Sequence, residues 1–120
     1  MRTLLSATAL AFCTLVVSSL RSNAADARAR THADATVAIR TFQFAPDTVR
    51  VKAGTRVVWT NADEIEHTIT SGTPDKTDGR FNGAVNKRGA TYSAVLEHAG
   101  SYRYFCDRHR FMNGTVIVTR

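Results

Sequence analysis

The sequence predicts an all-β domain, a Greek-key sandwich or small barrel with one core, over residues 36–120. Three observations carry that reading. Short runs of β-branched and aromatic residues recur between turn signals, at the spacing of a strand and a turn. No stretch places apolar residues at the helical period. The 120-residue chain, 43% hydrophobic and 22% charged with 7 Gly and 2 Pro, suits one ordinary domain and excludes a collagen-like or mostly disordered chain. It also leaves no room for a large multi-domain enzyme.

The elements follow in order. Thr36–Phe44 is the first run, closed by Ala45-Pro46-Asp47, and Thr48–Lys52 follows, ended by Ala53-Gly54. Arg56–Asn61 holds Val57, Val58 and Trp59, and His67–Ser71 runs His-Thr-Ile-Thr-Ser before Gly72. Residues 72–80 (GTPDKTDGR) read as a loop by composition. Tyr92–Glu97, Ser101–Cys106 and Thr115–Thr119 complete the set, with Gly100 and Gly114 marking turns. The core is expected from Val37, Ile39, Val49, Val51, Val58, Trp59, Ile69, Tyr92, Ala94, Leu96, Tyr102, Tyr104, Val116 and Val118.

Residues 1–24 read as a secretory signal peptide rather than as fold. Arg2 supplies the positive start, Leu4 to Leu20 is uncharged and largely apolar, and Ser22-Asn23-Ala24 offers small residues for cleavage after Ala24. An uncleaved anchor is the alternative, but Thr8, Thr14, Ser18 and Ser19 interrupt a run already short for a span. The mature chain is then expected outside the inner membrane, in a bacterial periplasm, with no membrane insertion. Residues 25–35 (ADARARTHADA) have no period and read as a flexible arm.

The full chain carries 16 Lys+Arg and 10 Asp+Glu, a formal +6; loss of Arg2 and Arg21 with the leader leaves 14 basic side chains and +4. Cys13 leaves with the leader, so Cys106 is the sole mature cysteine. In an oxidising compartment a lone thiol pairs, oxidises or is occupied, and a metal is the obvious occupant.

Between the last two strands, Cys106, His109 and Met112 stand at x2 and x2 spacing, and His67 opens a strand far upstream. A sandwich gathers distant strand ends at one pole. Two imidazoles and a thiolate with a weak thioether form the donor set of an electron-transfer copper site. Zinc also accepts two histidines and a cysteine, but methionine is unusual for it. Taken singly, His67 is an ordinary strand-end residue and Met112 an ordinary core plug. The combination is what is specific.

These residues resemble the cupredoxins, in particular the plastocyanin-like and amicyanin-like blue copper proteins, over Thr36 to Arg120. The likeness lies in Phe44-Ala45-Pro46, Val49-x-Val51-x-x-Gly54, Val58-Trp59-x-Asn61, His67-Thr68-Ile69-Thr70-Ser71, Gly100 to Cys106 and Phe111 to Val118. The resemblance implies one copper ion cycling between Cu(I) and Cu(II). It further implies His67, Cys106 and His109 as equatorial ligands, Met112 as the axial one, and a Thr68 N–H donating to the thiolate. The short ligand loop is similar to that of amicyanin. Three positions depart from the family, which usually has proline where this chain has Glu66, Arg108 and Arg110.

The reading is an exported, monomeric, non-enzymatic carrier of single electrons between redox protein partners. A copper carrier that delivers the ion to an oxidase is the alternative, and a fold-only interaction module is a third. Arg80, Lys87, Arg88, Arg108 and Arg110 are expected in loops, where they would steer the protein toward a partner with an acidic docking surface. Phe111 is either core or part of an apolar docking ring around His109. His32 and His98 read as solvated. No basic stripe interleaved with aromatics supports nucleic-acid binding.

Overall fold

The structure is a computed structural model and describes residues 32–120. The expected leader, and most of the expected arm, lie outside those residues. Among the described residues nine strands run in chain order: β1 (Ala35–Arg40), β2 (Gln43–Ala45), β3 (Thr48–Lys52), β4 (Arg56–Asn61), β5 (His67–Thr73), β6 (Lys76–Val85), β7 (Thr91–Val95), β8 (Gly100–Phe105) and β9 (Asn113–Thr119). They form two sheets, ordered β2-β1-β4-β7 and β3-β9-β8-β5-β6. Parallel pairing of β1 with β4 and of β3 with β9 requires connections that cross between the sheets, as a Greek-key sandwich does. Among the described residues no helix is long and apolar enough to cross a membrane.

Three expectations need correction. The first run, Thr36–Phe44, is broken into β1 and β2 by Thr41 and Phe42, whose φ angles are 50° and 58°. Arg40 pairs with Gln43 across this two-residue turn. Positive φ at both central residues is the type I′ hairpin geometry, usually filled by Asn-Gly, so Thr-Phe gave no signal. Residues 72–80 are not a loop: β5 runs on to Thr73 and β6 returns from Lys76, leaving Pro74-Asp75 as the turn. Arg80 therefore sits in a strand, its guanidinium 4.8 Å from the Tyr102 ring centroid. Val58 is only half-buried, because β4 alternates and turns Val57, Trp59 and Asn61 inward.

The inward faces make one core, in which Ile39, Val57, Trp59, Ile69, Val85 and Val116 are fully buried. Phe44 and Phe81, absent from the expected core, join it. Truncation of Ile39 or Ile69 to alanine would cost about 2–5 kcal/mol. Tyr104 is the aromatic hub, meeting Phe44 at 4.7 Å and Trp59 at 5.4 Å between ring centroids. Its ring occupies the space a Cβ on Gly114 would take, and Tyr92 does the same over Gly83.

Candidate metal centre

The antiparallel pairing of β5 with β8 places the start of one beside the end of the other, with Thr70 opposite Phe105. His67 opens β5 and Cys106 follows β8, so the two meet at the same pole. The loop from Cys106 to Met112 closes on itself. Cys106 N–H donates to the Met112 carbonyl at 3.1 Å, His109 N–H to the Cys106 carbonyl at 3.3 Å, and Met112 N–H to the His109 carbonyl at 2.8 Å. Asp107 N–H donates to Thr68 Oγ1 at 2.7 Å, which ties this loop to β5.

The donor atoms of His67, Cys106 and His109 all lie within 4.8 Å of one another. Cys106 Sγ stands 3.8 Å from His67 Nδ1 and 3.7 Å from His109 Nδ1. For one first-row ion bonded to a thiolate at about 2.3 Å and an imidazole at about 2.05 Å, a 120° angle separates sulfur and nitrogen by roughly 3.8 Å. The residues present therefore fit a single ion held between them. His67 and Cys106 are fully buried and His109 is partly exposed. Thr68 N–H donates to Cys106 Sγ at 3.3 Å, as the family resemblance implied. Met112 is 2% exposed, with its backbone bound to both Cys106 and His109.

Two contributors were not legible in the sequence. Asp63 Oδ2 lies 3.0 Å from His67 Nε2, and the same carboxylate accepts the N–H groups of Thr41 at 2.7 Å and Phe42 at 3.1 Å. Burial pushes the Asp63 carboxyl up, but the Phe42 and Thr41 N–H groups and the His67 ring outweigh it and hold it below the usual carboxylate range. Phe42, expected only as a strand residue, stands edge-on to both imidazoles, its centroid 5.6 Å from His67 and 5.0 Å from His109. The four-residue step from Asp63 to His67 was the one signal available, and it is weak outside a helix.

The charges around this pole are more balanced than the sequence suggests. Arg108 pairs with Glu66, and Arg88 pairs with Glu64 at 2.6 Å. Arg110 donates to the Pro74 carbonyl, and no carboxylate meets it among the described residues. Phe111 is 71% exposed, which excludes a core role. His98 is exposed and offers only its carbonyl, to the Tyr102 hydroxyl at 2.7 Å.

A Greek-key sandwich with a buried cysteine between two histidines at one pole defines the cupredoxin class of copper protein. The comparisons agree. The model of the copper binding proteins, plastocyanin/azurin family, matches residues 31–119, and the chain belongs to that family. It is 33% identical to amicyanin-alpha of Methylorubrum extorquens over 82 residues, covering 68% of this chain and 69% of that one. It is 35% identical to plastocyanin of Scenedesmus fuscus over 83 residues, 62% of this chain and 85% of that one. Among solved structures, a purple cupredoxin from Nitrosopumilus maritimus superposes with a TM-score of 0.66 at 30% identity, covering 72% of this chain and all of that one. A reduced amicyanin variant gives 0.64 at 27% identity, covering 72% of this chain and 82% of that one. The cofactor is one copper ion, and the protein is an electron carrier rather than an enzyme.

Proposed function

We propose that His67, Cys106 and His109 hold the copper ion, with Met112 as a weaker fourth donor, and that the protein is exported and passes single electrons between redox proteins. The convergence of two imidazole nitrogens on one buried thiol, each within 3.8 Å of it, carries the assignment. When bound, the ion supplies one-electron chemistry between Cu(I) and Cu(II), and soft sulfur with imidazole serves both states.

The chain's own residues do the rest. The Thr68 N–H withdraws charge from the Cys106 sulfur. Burial of His67 and Cys106 keeps water from two of the three close donors. His109 is the exposed member, bordered by Phe42 and Phe111, whose ring centroids lie 5.0 Å and 6.3 Å from it. That border is the apolar patch on which a partner would dock. Arg110 beside it favours a partner with an acidic surface. The protein acts as a monomer in the periplasm, residues 1–24 being the export signal and residues 36–120 the functional domain.

X-ray absorption of the protein loaded with one equivalent of Cu(I) tests the ligand set. The expected first coordination sphere holds one short sulfur and two nitrogens, and Cys106→Ser removes the short sulfur while leaving the protein folded. A short sulfur that persists in that variant overturns the assignment.

A further inference from the structure

We propose that Asp63 is a positioning residue for the copper centre: one carboxylate fixes which nitrogen of His67 faces Cys106 and clamps the β1–β2 turn so that Phe42 caps both imidazoles. This rests on the reading of His67, Cys106 and His109 as ligands.

Three N–H groups converge on Asp63. Thr41 donates to Oδ1, Phe42 donates to Oδ2, and His67 Nε2 faces Oδ2. An ionised carboxylate only accepts hydrogen bonds, so this pairing calls for a proton on Nε2 and turns Nδ1 toward Cys106. His67 is fully buried, so its Nε2–H depends on this partner. The carboxylate is rigidly mounted, because Asp63 N–H donates to Asn61 Oδ1 at 2.9 Å. Asn61 is itself 1% exposed and bound through Nδ2 to the carbonyls of Ile65 at 2.7 Å and Val85 at 3.0 Å.

The same group explains how Thr41 and Phe42 hold a backbone conformation that neither residue favours. Its two oxygens accept both of their N–H groups, and the turn then delivers the Phe42 ring against His67 and His109. No neutral isostere can accept from all three. An asparagine there has one acceptor oxygen, so its NH2 must face either the Thr41 N–H or the Phe42 N–H and His67 Nε2 together.

The test uses the protein with 15N-labelled histidine and the variants Asp63→Asn, Asp63→Ala, and Asp63→Ala combined with Thr41→Asn. The added asparagine tolerates positive φ and supports the turn without the carboxylate. In metal-free wild type, the expected His67 spectrum shows a proton on Nε2 that exchanges slowly with water. In all three variants that exchange accelerates and Cu(I) affinity measured against a competing chelator falls 10–100-fold, while the nuclear Overhauser contacts between Phe42 and His109 weaken in Asp63→Asn and Asp63→Ala and are regained in the turn-supported variant. Wild-type affinity and slow exchange retained in the turn-supported Asp63→Ala variant would overturn the proposal, as would a wild-type His67 protonated on Nδ1. If the wild type takes up no Cu(I), the copper reading fails on its own, while the nitrogen spectrum, which needs no metal, still decides the role of Asp63.

Discussion

Glu66 and Arg108 form an ion pair that ties the residue before His67 to the residue before His109. These are two of the three positions where the family usually carries proline. Here a charge pair links the two segments that bring in the imidazoles, in place of stiffening each separately. Arg108 is well exposed and Glu66 about one-third exposed, so solvent screens the pair and it stabilises the fold by at most about 1 kcal/mol. A double-mutant cycle with Glu66→Gln and Arg108→Gln should return a coupling below that value, shrinking with salt. Glu66→Gln should also raise the copper reduction potential, because it removes a negative charge that favours Cu(II). A coupling above about 2 kcal/mol would contradict an exposed, screened pair.

Arg108 and Arg110 bracket His109 but are not equivalent. Arg108 is neutralised by Glu66, whereas Arg110 meets a carbonyl and no carboxylate among the described residues. Arg110→Glu should therefore slow association with an acidic redox partner more than Arg108→Glu, most of all at low salt. Stopped-flow electron transfer across a salt series measures this. Equal effects from both arginines would remove the distinction.

Gly83 and Gly114 lack side chains because tyrosine rings fill that space. A methyl group added at Gly83 must displace the Tyr92 ring, and one added at Gly114 the buried Tyr104 ring. Gly83→Ala and Gly114→Ala should each destabilise the fold by about 1–3 kcal/mol in urea titrations. Near-neutral values would mean that the rings can move aside.

Burial pushes the Tyr104 phenol up to about 12, against about 10 in an unfolded chain. Between those values the unfolded chain has released the proton and the folded chain has not, so stability falls as pH rises. The full loss is about 3 kcal/mol. Tyr104→Phe should abolish that alkaline loss, and should cost less than about 1 kcal/mol at neutral pH because the buried hydroxyl makes no hydrogen bond among the described residues. Parallel denaturant titrations of both proteins at neutral and alkaline pH check the sign. The same alkaline slope in both would place the loss elsewhere.

Most of the fold could be read from periodicity and turn residues. Thr48–Lys52 and Arg56–Asn61 match β3 and β4 end to end, because β-branched alternation bounded by Pro-Asp and Ala-Gly is a strong local signal. Residues 72–80 misled because β6 begins in polar, exposed residues whose extended form is set by pairing with β5, a non-local cause. The Cys106-His109-Met112 spacing was legible because chemistry demands those residue types close together. Asp63 and Phe42 were not, since one acts through a turn conformation and the other through a position that only the folded chain creates. The Glu66–Arg108 pair was hidden for the same reason: 42 residues separate partners that the β5–β8 pairing brings together.

The most direct test of the central claim is the visible absorption and EPR spectrum of the protein after addition of one equivalent of Cu(II). A Cys106 thiolate bound to copper beside two imidazoles predicts an intense visible charge-transfer band with narrow copper hyperfine splitting, both lost in Cys106→Ser. A colourless protein that binds Cu(I) tightly would favour copper delivery over electron transfer, and a protein that takes up neither ion would contradict the metal centre outright.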